Sequence, residues 1–92
     1  MPNIKGKGLK AIANDVADGY VTVNPIFLKP LENEALKSFF HEIMKSQAVI
    51  RSERFPHNDT MLIRSRNMRL QRLHTAAMII KTYARERRIQ IL

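Results

Sequence analysis

The chemistry this sequence offers begins with nine arginines and where they fall. Arg51, Arg54, Arg64, Arg66, Arg69, Arg72, Arg85, Arg87 and Arg88 all follow residue 50, whereas six of the seven lysines precede it. A guanidinium is a planar fork that grips phosphate or carboxylate through paired hydrogen bonds and stacks on bases and rings; an ammonium acts as a point charge. Residues 51–92 hold ten bases against Glu53, Asp59 and Glu86, a net of +7, so pairing inside that segment leaves most of them free. Residues 1–19 net only +1 and residues 20–50 net zero. With +8 on the whole chain, the expectation is a polyanionic partner.

Other reactive chemistry is sparse. The chain has no cysteine, which excludes disulfides, thiolate metal sites and cysteine nucleophiles. His41, His57 and His74 are far apart in sequence, and His41-Glu42 does not continue into a zinc-binding HExxH. Ser38, Ser46, Ser52 and Ser65 lack the flanking glycines of a nucleophile elbow. Gly6-Lys7-Gly8 is too short for a phosphate loop. No catalytic residue, cofactor site or metal site is therefore expected, and the chain reads as a non-enzyme. No apolar run approaches the roughly 18–20 residues that span a bilayer. The basic N-terminus is not followed by the apolar core of a signal peptide, so a cytoplasmic protein without transmembrane insertion is expected.

The elements that must position the arginines follow from periodicity. Residues 1–8, with Lys5 and Lys7 among glycines, read as a flexible basic arm, and residues 9–92 as one domain. Leu9, Ile12, Ala13 and Val16 have the three/four spacing of a short amphipathic helix that Gly19 is placed to end. Tyr20-Val21-Thr22-Val23 is β-branched and aromatic and predicts a strand, interrupted at Asn24-Pro25. Ile26-Phe27-Leu28 either continues that strand or packs as an apolar loop. Leu36, Phe39, Phe40 and Ile43 predict an amphipathic helix over residues 31–47. An extended stretch over residues 48–55, a turn at Pro56-His57-Asn58-Asp59 and a returning strand over residues 60–66 predict a β-hairpin. Asn67 is read as the cap of a second long helix buried through Leu70, Leu73, Ala77, Ile80 and Ala84, and residues 88–92 as a terminal strand.

After the first helix this order is β-α-β-β-α-β, so the expected fold is α+β with a ferredoxin-like arrangement. A helix-rich domain carrying a winged β-hairpin uses the same elements and is the alternative. On the ferredoxin-like plan, Arg51, Arg64 and Arg66 share an exposed sheet face with Phe55 as a stacking aromatic, a way to hold single-stranded RNA. The RNP1 pattern of RNA-recognition motifs is absent. Arg54, Arg69 and Arg72 extend this candidate nucleic-acid surface, and Arg85, Arg87 and Arg88 cluster at a helix end, where basic residues also favour the helix dipole. The expected function is a nucleic-acid-binding accessory domain, for RNA before DNA. The alternative is a protein-interaction or homo-oligomeric module using Met78 and Ile79 on the outer face of the last helix.

Overall fold

A computed structural model describes residues 3, 4 and 7–91. Its architecture is helical. A two-residue antiparallel ladder joins β1 (Asn3–Ile4) to β2 (Lys7–Gly8), with Asn3 opposite Gly8 and Ile4 opposite Lys7. Four helices follow: α1 (Leu9–Asp18), the single turn α2 (Pro25–Leu28), α3 (Asn33–Ser52) and α4 (Thr60–Glu86). The remaining residues assigned to the basic arm, 1, 2, 5 and 6, lie outside the described residues.

The stripes that build the bundle are those the spacing implies, but longer. Leu9, Ile12, Ala13, Val16 and Ala17 form the buried face of α1. Leu36, Phe39, Phe40, Ile43, Gln47 and Ile50 form that of α3, and Leu73, Ala76, Ala77, Ile80, Tyr83 and Ala84 that of α4. The three faces meet in one core, with Phe39, Ile12, Leu28, Leu36, Ile43, Leu73 and Ile80 fully enclosed. Helix α1 packs against both α3 and α4, and α2 closes onto α4.

Both helix ends that turn sharply do so through one motif. At the end of α1, Gly19 is left-handed (φ 86°), its N–H donates to the Val16 carbonyl and that of Tyr20 to the Asp15 carbonyl. At the end of α4, Arg88 is left-handed (φ 56°), its N–H donates to Arg85 and that of Ile89 to Ala84. These are paired 5→2 and 6→1 bonds that satisfy otherwise orphaned carbonyls. Glycine adopts this conformation freely; arginine does not.

The ferredoxin-like arrangement is overturned, and so is the winged hairpin, because no strand forms after Gly8 among the described residues. Each misread segment has a local cause. Residues 20–23 run as an irregular connector whose Val23 plugs the core. Asn24-Pro25 starts a helix instead of interrupting a strand: the Phe27 N–H donates to Asn24 Oδ1 at 2.8 Å, and proline suits the first turn. Residues 48–52 stay helical because Ile50 extends the buried row of Ile43 and Gln47 at helical spacing. Residues 60–66 are the first turns of α4, capped by Asp59, whose Oδ1 accepts from the Leu62 N–H at 3.0 Å. Asn67 is mid-helix and exposed, not a cap. The segment after Arg88 packs Ile89 and Ile91 on the core without pairing as a strand.

The two left-handed caps give opposite expectations. Gly19→Ala places a Cβ 3.0 Å from Arg72 Cζ in a strained backbone and should lower unfolding free energy by about 1–2 kcal/mol. Arg88→Gly should raise it by about 1 kcal/mol. Urea denaturation followed by circular dichroism checks both.

Candidate functional site

Helix α4 determines where the arginines stand. Its 27 residues run about 40 Å at 1.5 Å per residue, close to the molecule's longest dimension of 44 Å. Arg64 and Arg85 are separated by about 32 Å along that axis. The sequence left open whether the two arginine groups come together; they lie toward opposite ends of one rod.

Two members of the expected nucleic-acid surface are held by the fold. Arg72 Nη1 donates to the Ala17 carbonyl at 3.0 Å, and Arg69 Nε stands 3.4 Å from Asp18 Oδ1. Both targets sit in the last turn of α1, which has no basic residue of its own there. Cations at a helix C-terminus meet the negative end of its dipole. Helix α4 thus caps α1 from outside, and the Gly19 backbone lets the Arg72 guanidinium come that close. At the far end, the Arg87 guanidinium stacks on Tyr83 with Cζ 3.8 Å from the ring centroid, and Arg88 occupies the left-handed cap. Arg85 is exposed on the last turn.

The remaining group gathers where α3 passes into α4. Arg51 ends α3, Arg54 and Phe55 lie in the connecting loop, and Arg64 and Arg66 lie on the first turns of α4. No ion pair among the described residues joins Arg51, Arg54 or Arg64 to a carboxylate. Phe55 does not present a free ring: Arg66 Cζ is 5.2 Å from its centroid and the His57 ring 5.0 Å. Arg66 Nε is buried without an acceptor, so stacking on Phe55 is its main contact.

Apolar side chains on the first turns of α4 are exposed as well. Arg69 lines a depression together with Ala17, Ile50 and Glu53, which marks the level where α1 and α3 both stop. Residues 60–68 therefore extend past the bundle for about 13 Å, accompanied only by the loop. Not one of them is buried. Met61 is 82% exposed and Leu62 55%, although Leu62 lies on the line that would face the core. Met68 is exposed on the same stretch of α4, and Val49 is exposed on α3.

The uncovered surface continues along α4. At 100° per residue, Met61, Met68, Arg72 and Ile79 fall within about 40° of one another. Two shallow depressions follow this row. One is lined by Thr60, Arg64, Met68, Gln71 and Arg72; the other by Gln71, Arg72, Thr75, Ile79, Val21 and Thr22. They share Gln71 and Arg72. Of the expected partner residues, Ile79 is half-buried and lines the second depression, and Met78 stands exposed on the outer face.

Sequence reasoning passed over Met61, Leu62 and Met68 because a strand at residues 60–66 would turn Met61 and Ile63 inward. Asp59 before Thr60 was the available signal, since aspartate is a preferred helix N-cap. Taken as the helix start, it places Met61 and Met68 seven residues apart on one face.

Among the described residues no helix is long and apolar enough to cross a membrane, and no group of three or more histidines and carboxylates is placed to hold a metal. No protein-family model, curated protein or solved structure matches this chain.

The division between held and free arginines is measurable. Arg72→Met, which keeps the aliphatic stem and removes the cap, should cost about 1–2 kcal/mol of stability. Arg64→Met should change it by no more than about 0.5 kcal/mol. Thermal and urea unfolding of the two variants side by side gives the comparison.

Proposed function

We propose that this chain is a recognition module that docks an acidic protein segment on the uncovered first turns of α4. The observation that carries this reading is that the first turns of α4 expose Met61, Leu62 and Met68, with Arg64 beside Met68 and with Arg51 and Arg54 in the segment that leads into the helix, and that none of these three arginines pairs with a carboxylate among the described residues. Methionine and arginine are enriched at protein interfaces, and hot spots combine a desolvated apolar centre with a polar rim. Fully burying one such apolar side chain contributes about 1.5–3 kcal/mol. The cations select a partner of opposite sign and speed its approach.

Single-stranded RNA is the competing occupant, favoured by the same three arginines. It uses the apolar side chains poorly, and the Phe55 ring already has the Arg66 guanidinium over it and the His57 ring tilted against it. Nucleic-acid binding would rest on phosphate contacts and fall steeply with salt.

The chain carries its own reporters. Met44 and Met78 lie on other faces and serve as internal controls for Met61 and Met68. Methyl NMR of the full chain, titrated with an amphipathic helical peptide bearing glutamates on its polar face, should shift Met61 and Met68 and leave Met44 and Met78 unmoved. Met61→Ser combined with Leu62→Ser should weaken the peptide at least tenfold. Uridine oligonucleotide and duplex DNA are the comparison probes. Tighter binding of either than of the peptide at physiological salt would replace the protein reading with the nucleic-acid one.

A further inference from the structure

Three lysines meet where the start of α1 lies against α3, in an open depression of about 660 Å³ to which α4 contributes no residue. Lys37 and Lys45 come from α3 and Lys10 from α1, and Ser38 and His41 of α3 line the same wall. Lys37, His41 and Lys45 recur every fourth residue, so they share one face of α3 with His41 one turn from each lysine. The apolar part of the wall is Leu9, a core residue, and Ile91, which packs against the core from the C-terminal segment. Three separate stretches of the chain therefore build the depression, and sites for small molecules occupy about 300–1,000 Å³.

The positive charge here is not neutralised within the fold. Lys10 and Lys45 pair with no carboxylate among the described residues. Lys37 Nζ stands 3.6 Å from Glu34 Oε1, but both groups are exposed, and such a pair holds its lysine weakly. Glu42 is the one acid on the wall, and it pairs with none of the three lysines.

We infer that this depression binds a small organic phosphate with an aliphatic body, its head group held by Lys10, Lys37 and Lys45 beside His41 and its chain laid on Leu9 and Ile91. Each ammonium carries three donors on a flexible stem, which suits the several acceptor oxygens of a phosphoryl group. Lys37 and Lys45 are about 12 Å apart along the α3 axis, so a head group beside His41 lies midway between them. The body is aliphatic because no Phe, Tyr or Trp lines the depression to stack on a base, whereas the lysine stems add methylene surface to Leu9 and Ile91. The site shares no residue with the docking surface on α4. The phosphate head of a membrane lipid offers the same chemistry, but none of the large apolar side chains exposed on this molecule lines the depression to enter a bilayer. The occupant is therefore a free ligand.

Isothermal titration calorimetry of the full chain with hexyl phosphate, inorganic phosphate and uncharged hexyl glucoside tests the inference. Hexyl phosphate should bind about tenfold tighter than inorganic phosphate, the effect of burying about two methylenes. Hexyl glucoside should bind more weakly than hexyl phosphate. Lys10→Ser and Lys45→Ser should each weaken hexyl phosphate about fivefold, as expected for exposed charges, and Glu42→Gln should tighten it. Lys29→Ser removes the same charge at an exposed position outside the depression and should leave binding unchanged. Methyl NMR should show Leu9 and Ile91 shifting while Met61 and Met68 stay still. Circular dichroism of the variants confirms that the bundle is intact. No binding of hexyl phosphate, binding no tighter than that of inorganic phosphate, or equal weakening by Lys29→Ser overturns the inference. So does binding to phosphatidylcholine vesicles containing phosphatidic acid without binding to soluble hexyl phosphate, which assigns the lysines to a membrane surface.

Discussion

Helix α1 is ten residues long and must cover a pair of helices twenty and twenty-seven residues long. At 1.5 Å per residue it reaches about 15 Å, against about 40 Å for α4. Everything distinctive about the molecule follows from that mismatch. Where α1 lies, the three faces close into an apolar core around Phe39, Ile43, Leu73 and Ile80. Where α1 and α3 both stop, α4 continues alone. The position of the stop is set by a staple: Arg72 to the Ala17 carbonyl and Arg69 to Asp18, both across the end of α1. Arginines that a charge map counts toward a binding surface are here the reason the surface begins where it does.

The staple also explains how a short helix survives. An isolated helix of ten residues is marginal in water, and its last carbonyls lack partners. Apolar burial supplies most of the compensation, through Leu9, Ile12, Ala13, Val16 and Ala17. The Gly19 turn and the Arg72 guanidinium satisfy carbonyls of the last turns. The overhanging turns of α4 are the converse case. They extend a helix already nucleated by packing, are capped by Asp59, and persist without a core of their own. Apolar side chains can therefore stand there in a defined geometry, displayed and not collapsed.

Much of the interior was legible in the sequence. The stripes at Leu9 to Val16, Leu36 to Ile43 and Leu73 to Ala84 are the core, and Gly19 ends its helix as its position implies. The connection between the long helices was not legible as helix, for a physical reason. Residues 48–66 hold β-branched Val49 and Ile50, a Pro-His-Asn-Asp turn and a short apolar/polar alternation. Local propensity and period two agree there on a hairpin. What decides the outcome is longer-range: Ile50 continues the α3 stripe, and Asp59 caps a helix whose packed residues begin about ten positions later, at Arg69 and Leu70. The sequence divides the arginines into a group expected on a hairpin and a group at a helix end, and the hairpin does not form. Their separation by the length of α4, and the commitment of Arg69 and Arg72 to α1, depend on packing that no local pattern encodes.

The account turns on whether residues 60–68 form a helix that is ordered yet uncovered. Amide hydrogen exchange measures this directly. The amides of residues 64–68 should be protected above random coil but exchange by local opening, well before those of residues 73–80, which should open only with global unfolding. Saturating acidic helical peptide should slow the first group selectively. Uniform protection from residue 64 to residue 80 in the free chain, with no further slowing by the peptide, would contradict the account.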